Sequence, residues 1–168
     1  PASIRSHAIQ FVGDSLWRED TSGLTEETQQ KFMDLWDWYW GAVGESDARA
    51  NPNGGVFGYW FASDAFDKSW ALDRLAQFVR VVPKPEPDHE IVERLLDCMD
   101  VDPMTTVQVL RCLIAGDDEN WRIHSWRESS RAILKTAMAC DEAVRTEAIE
   151  LINQLGRLGF VDYGELLD

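Results

Sequence analysis

The side chains of this 168-residue chain best suited to nucleophilic, acid–base or metal chemistry are three histidines (His7, His89, His124) and three cysteines (Cys98, Cys112, Cys140). The histidines lie far apart, no Gly-x-Ser-x-Gly turn accompanies them, and Cys140 falls at a predicted helix end without a neighbouring His. Capping or surface roles are expected ahead of a catalytic triad, which would have to assemble in space. "NGGVFG" (53–58) has neither the spacing nor the Lys-Ser/Thr of a phosphate loop and reads as a turn. The acidic clusters "DHE" (88–90), "DVD" (100–102) and "DDE" (117–119) fall at helix starts, where carboxylates suit the helix dipole. None continues into the Asp-x-Asp-x-Asp-Gly of a calcium loop. Nothing among the 30 acidic residues singles out a pair for glycoside chemistry. No catalytic, cofactor-binding or metal-binding residue is therefore predicted, and the reading leans away from an enzyme.

Two features point instead to binding. Asn120, His124, Arg127, Arg131 and Lys135 recur at i, i+4, i+7, i+11 and i+15, on one face of one long helix. Such a stripe could grip an acidic peptide or an anion. Alternatively it pairs with acids of its own neighbours, such as Glu142, Glu147 or Glu150. The second feature is "WDWYW" (36–40). With the face set at Trp36, Phe32, Trp40 and Val43 lie within about 40° of it, and Met33 and Tyr39 within about 60°. Trp38 falls about 200° away and cannot share that core. Either a second neighbour buries it or it marks an exposed interaction surface. Trp60, Trp70, Trp121 and Trp126 read more simply as core or inter-helix wedges.

The elements that must position these groups read as helices throughout. Residues 3–18 place Ile4, Ala8, Phe11, Val12 and Leu16 at helical spacing. Thr25 is an N-cap candidate followed by Glu26 and Glu27, opening a helix to about residue 44. "GESDARANPNGG" (44–55) is expected to be the longest loop. "VFGYWFAS" (56–63) is ambiguous between helix and strand, and Phe66, Trp70, Leu72, Leu75, Phe78 and Val79 then form a helical stripe. "PKPEP" (83–87) predicts an extended connector or hinge. Beyond it Asp88, Asp102-Pro103 and Asp141 are helix starts, and Gly116 and Gly159 are helix ends. Asp117 or Asp118 is expected to open the long helix carrying the basic stripe. Asp162 opens a last turn that docks Leu166 and Leu167. Helix 103–115 is apolar nearly all round and needs cover on more than one side.

Bulk properties bound the functional classes. The net charge is −14, from 16 basic and 30 acidic residues, which disfavours nucleic acid and anionic membranes. Its apolar runs fall far short of the ~18 residues that span a bilayer, and no signal peptide is visible. Three cysteines without Cys-x-x-Cys spacing predict reduced thiols and a cytoplasmic protein. A start at Pro1 suggests a piece of something longer.

From residue 88 onward, aspartates at helix starts, Leu/Ile/Val stripes and "DEAVRTEAIELINQLGRLG" (141–159) resemble HEAT- or armadillo-type helical repeats. "FGYWFASDAFDKSWALDRL" (57–75) is similar, more faintly, to helical C-terminal regions of large bacterial multidomain proteins, some with sirtuin-like or NTPase front ends. These likenesses imply a sensing or interaction part and carry over no catalytic residue. The expected fold is all-α: seven to eight helices in stacked antiparallel pairs, a HEAT-like solenoid or an irregular bundle. One domain over 1–168 is expected, with a possible division at 83–87. The expected function is a non-catalytic interaction module for a protein or peptide partner, or for other domains of a parent chain. A small helical enzyme with a carboxylate and aromatic pocket is the alternative, and a nucleic-acid-binding repeat protein comes third.

Overall fold

The computed structural model describes residues 2–50, 56–117 and 121–167. Among these residues it is all-α, with eight α-helices of seven residues or more and no strand. The helices are α1 (Ala2–Arg18), α2 (Glu26–Tyr39), α3 (Glu45–Ala50), α4 (Val56–Ala62), α5 (Lys68–Val79), α6 (Asp88–Asp97), α7 (Pro103–Gly116), α8 (Arg122–Ser125), α9 (Arg127–Met138) and α10 (Glu142–Arg157). Short 3₁₀ turns cover Thr21–Gly23, Cys98–Asp100 and Val161–Leu167.

Local capping explains several boundaries. The Thr25 side chain accepts a hydrogen bond from the Thr28 N–H, Asp67 from Trp70, Asp102 from Thr105, and Asp141 from Ala143 and Val144. Each satisfies an amide that the first helical turn leaves without a partner. Gly159 adopts φ +99° beyond α10, a conformation only glycine reaches cheaply, and turns the chain back. Other sequence readings are corrected. Residues 45–50 of the expected loop are helical, because α2 runs through a π-helical turn, Trp40–Gly44, straight into α3. The Asn51–Gly55 part of that reading lies outside the described residues. The ambiguous segment 56–63 is helix α4. Asp88 is the first residue of α6 rather than its cap, which is Pro87.

The long helix expected from 117 onward is interrupted. Asp117 is buried, and its carboxylate accepts the Arg122 and Ile123 amides at 2.9 and 3.3 Å, capping a single turn, α8. Trp126 then leaves helical geometry at φ −109°, ψ 21°, before α9 begins. Tertiary demand decides this break. The Trp126 ring is driven into the core, and its Nε1–H donates to Asp88 Oδ2 at 3.2 Å.

The helices pack as a series: α1 on α4, α4 on α5 and α6, α5 on α7, α6 on α9, and α7 and α9 on α10. Trp60 ties α1 down by donating from Nε1 to the Ile9 carbonyl at 3.1 Å. α1 turns Ile9, Gly13 and Leu16 inward, whereas Phe11, expected on its core stripe, is 72% exposed. Rings join α2 to its neighbours: buried Trp36 meets Tyr39, Trp40, Phe57, Trp60 and Phe78 at centroid distances of 4.4–6.2 Å. Arg94 of α6 is buried, donates to the Phe61 and Phe66 carbonyls, and pairs with Asp64 at 3.0 Å. Burial pushes its guanidinium pKa below the usual value.

The 83–87 segment is wedged against helices on both sides. Pro85 and Pro87 are buried, and the backbone passes so close to Gly58 of α4 and Gly116 of α7 that a Cβ at either would strike a carbonyl, of Glu86 and of Pro83 respectively. Gly116 is therefore needed for close approach; the expected left-handed cap is absent there. One buried cluster includes residues from before and after this segment.

Candidate interaction surfaces

The residues predicted to form a basic stripe are not brought together on a free face. Asn120 lies outside the described residues. The interruption at Trp126 separates His124 on α8 from Arg127, Arg131 and Lys135 on α9. His124 is exposed, with its ring 5.0 Å from that of Phe160. Arg127 pairs with Asp162 at 2.6 Å, and Arg131 pairs with Asp162 and Glu165 at 3.1 and 3.0 Å while lying over the Tyr163 ring. The reversal at Gly159 swings these acids onto α9. Glu147 and Glu150, named from sequence as partners, instead hold Arg111 of α7. Lys135 is exposed.

The same network seats the C-terminal turn. Tyr163 is fully buried, its hydroxyl 2.6 Å from the Ser130 hydroxyl, while Leu166 is half-buried and Leu167 is 42% exposed. Tyr163 is thus the docking side chain that sequence reading assigned to the two leucines. Burial pushes its phenol pKa up. Burial also opposes ionisation of Asp162, yet the hydrogen bond from Arg127, a backbone hydrogen bond and the charges of Arg127 and Arg131 together outweigh it and leave that carboxyl below its ordinary value of 3.8. Cys98 is buried in the core and pushed up to about 11, which makes it an unreactive thiol.

Trp38 is 53% exposed, as its position opposite the Trp36 face allowed. Beside it Asp37 binds Arg74 of α5 at 2.6 Å, raising the Arg74 pKa chiefly through that hydrogen bond, and accepts from Trp70 Nε1 at 3.5 Å. Trp60 and Trp126 are buried and Trp70 half-buried, but Trp121 is 58% exposed beside the Arg122 guanidinium.

A surface that sequence reasoning missed lies between α1 and α2. Phe11, Val12, Ser15 and Leu16 of α1, with Leu24 and Phe32, line a groove of about 220 Å³. Among the described residues its charged lining side chains are Glu19 and Asp20. The Asp20 carboxylate caps the Thr21–Gly23 turn, and the hydrogen bonds from Ser22 lower its pKa, keeping it anionic. A signal for this groove was present. Phe11 and Trp17 stand about 240° apart on a helical wheel and cannot serve one core stripe. Trp17 lies against Tyr59 of α4, 5.2 Å between centroids, which leaves Phe11 to the other side.

Among the described residues no cluster of His, Cys, Asp and Glu could hold a metal ion, and no helix is long and apolar enough to cross a membrane. Comparison of the chain with known protein families, with curated proteins and with solved structures finds no match.

Proposed function

We propose that the chain is a non-catalytic interaction module whose α1–α2 groove receives an amphipathic, positively charged helical segment of a protein partner. One observation carries this reading: an apolar trough roofed by an exposed Phe11 whose charged lining residues are both acidic. An amphipathic helix presents a stripe of apolar side chains that such a trough can cover, and a groove of this kind is a recurrent peptide-binding mode. Lys or Arg flanking that stripe would meet Glu19 and Asp20, on a chain whose net charge of −14 steers cationic partners toward it. The position of α1 supports the reading too. It rests principally on α4 and is at the end of the packing series, so a further helix can be laid beside it. Trp38, exposed on α2, is a secondary contact candidate for the same partner.

Two synthetic helices with the same Leu stripe, one carrying Lys and one Glu on the polar face, test this by titration calorimetry. The Lys peptide is expected to bind, more weakly as salt rises. Phe11→Ser is expected to weaken it by about tenfold or more, the loss of one buried phenyl being worth ~1.5–3 kcal/mol. Equal affinity for the Glu peptide, or no effect of Phe11→Ser with the helical circular dichroism unchanged, would overturn the reading.

A further inference from the structure

At the other end of α2 the surface has different chemistry. Two adjoining hollows, of about 370 and 360 Å³, share Trp40, Glu45 and Arg49; the second is completed by Gln77, Arg80 and Val81 at the C-terminal end of α5. Two guanidinium groups and one carboxylate line it, so a local formal charge of +1 (two cations less one anion) stands on a chain of net charge −14. Arg49 donates from Nε and Nη2 to a single oxygen of Glu45, at 3.1 and 2.7 Å. Arg80 is exposed and, among the described residues, has no ion-pair partner. The nearest further acid on α5, Asp73, is occupied by Arg74 and by the Gln77 amide at 3.2 Å.

The floor is independently built. The Trp40 ring is stacked on Trp36 at 5.7 Å and 16°, and abuts Phe78 at 5.6 Å, which fixes its plane. It lies across the π-turn only because residue 44 is glycine; a Cβ there would sit 2.7 Å from Trp40 Cε3. π-turns inside α-helices recur at functional sites, since they cost backbone regularity and are kept for the side chain they re-aim.

The geometry points to this hollow as a binding site for a small anion, a phosphate monoester or a carboxylate, bearing a flat apolar group that lies on Trp40. Arg49 and Arg80 supply fork-shaped donors for the anionic head. The fixed indole supplies the stacking face. This site shares no residue with the α1–α2 groove and stands apart from the peptide reading.

Phenyl phosphate and benzoate are the probes, with phenol as the uncharged control, titrated into the intact chain and followed by calorimetry and by the indole NMR signals. Saturable binding of either anion, with the Trp40 indole displaced and phenol inert, is the expected result. A stronger phenyl phosphate identifies a phosphate site, a stronger benzoate a carboxylate site. Arg80→Gln, an exposed substitution that leaves the fold intact, is expected to lower affinity at least tenfold. Gly44→Ala is expected to weaken binding while keeping every charge, and Phe11→Ser to leave it unchanged. Anion binding no tighter than that of phenol, or undiminished in Arg80→Gln, would overturn the proposal.

Discussion

Residues before the 83–87 segment and those after it solve the same packing problem with different materials. The first region fills its interior with rings: Phe57, Trp60 and Phe78 converge on Trp36 at centroid distances of 4.4–6.2 Å. The second uses aliphatic stripes, with Leu95, Leu110, Ile133, Leu151 and Leu155 all buried, and pins its helices with aspartate caps and arginine pairs. Rings reach far, so α2 can be bound without close backbone approach, but they leave grooves where their shapes do not close. Both candidate surfaces, the α1–α2 groove and the Trp40 hollow, lie in the ring-packed region. In the other region aliphatic side chains interdigitate, and Arg111, Arg122, Arg127 and Arg131 are each paired with acids of the chain.

Truncation of Trp36 to Ala should break the comparison most sharply. It removes the hub of five ring contacts and should cost about 3–5 kcal/mol in urea unfolding. Leu110→Ala, its aliphatic counterpart, should cost about 2–5 kcal/mol. A cost for Trp36→Ala well below that of Leu110→Ala would mean the ring cluster is not the keystone. Next come Gly58→Ala and Gly116→Ala, where a new Cβ meets the wedged 83–87 backbone; each should lose about 1–3 kcal/mol, read as a lower melting temperature. If both are silent, the segment is a loose connector and not a wedge.

Smaller effects probe the capped region. Asp102→Ala and Asp141→Ala each remove a side chain accepting helix amides and should cost about 1 kcal/mol, with Asn in place of Asp recovering most of it. The smallest effect is a pH dependence. The Asp162 carboxyl is depressed below 3.8 in the folded chain, so its stabilisation is present above that value and fades as pH falls through the lower folded value. Asp162→Asn should therefore flatten the acid limb of a melting-temperature profile only slightly, because solvent screens this surface pair. An unchanged limb would show that Arg127 and Arg131 gain nothing from it.

Much of the all-α fold was legible because helix signals are local. Apolar spacing, Thr25, Asp102 and Asp141 at helix starts, and Gly159 at a helix end act within a few residues of themselves. The wheel of α2 likewise separated Trp38 from Trp36 without any neighbour being known. The candidate sites were far less legible. The basic stripe assumed one straight helix, and Trp126 ended it because the core and Asp88 claimed that ring. Phe11 was assigned inward because a helix that binds on one side and opens a groove on another has the same periodicity as one that binds on two.

By itself the sequence determined the helical class, the caps at Thr25, Asp102 and Asp141, the acidity and the separation of Trp38 from Trp36. All follow from interactions spanning three or four residues, or from charge summed over the chain. Only the tertiary structure decided which arginines are spent on Asp162 and Glu165 and which, like Arg80, face a hollow. It also decided that Gly44, Gly58 and Gly116 serve close approach, and that α1 and α2 leave a trough between them. Those outcomes depend on which surfaces meet across dozens of residues, and a helical period carries no information about its partner.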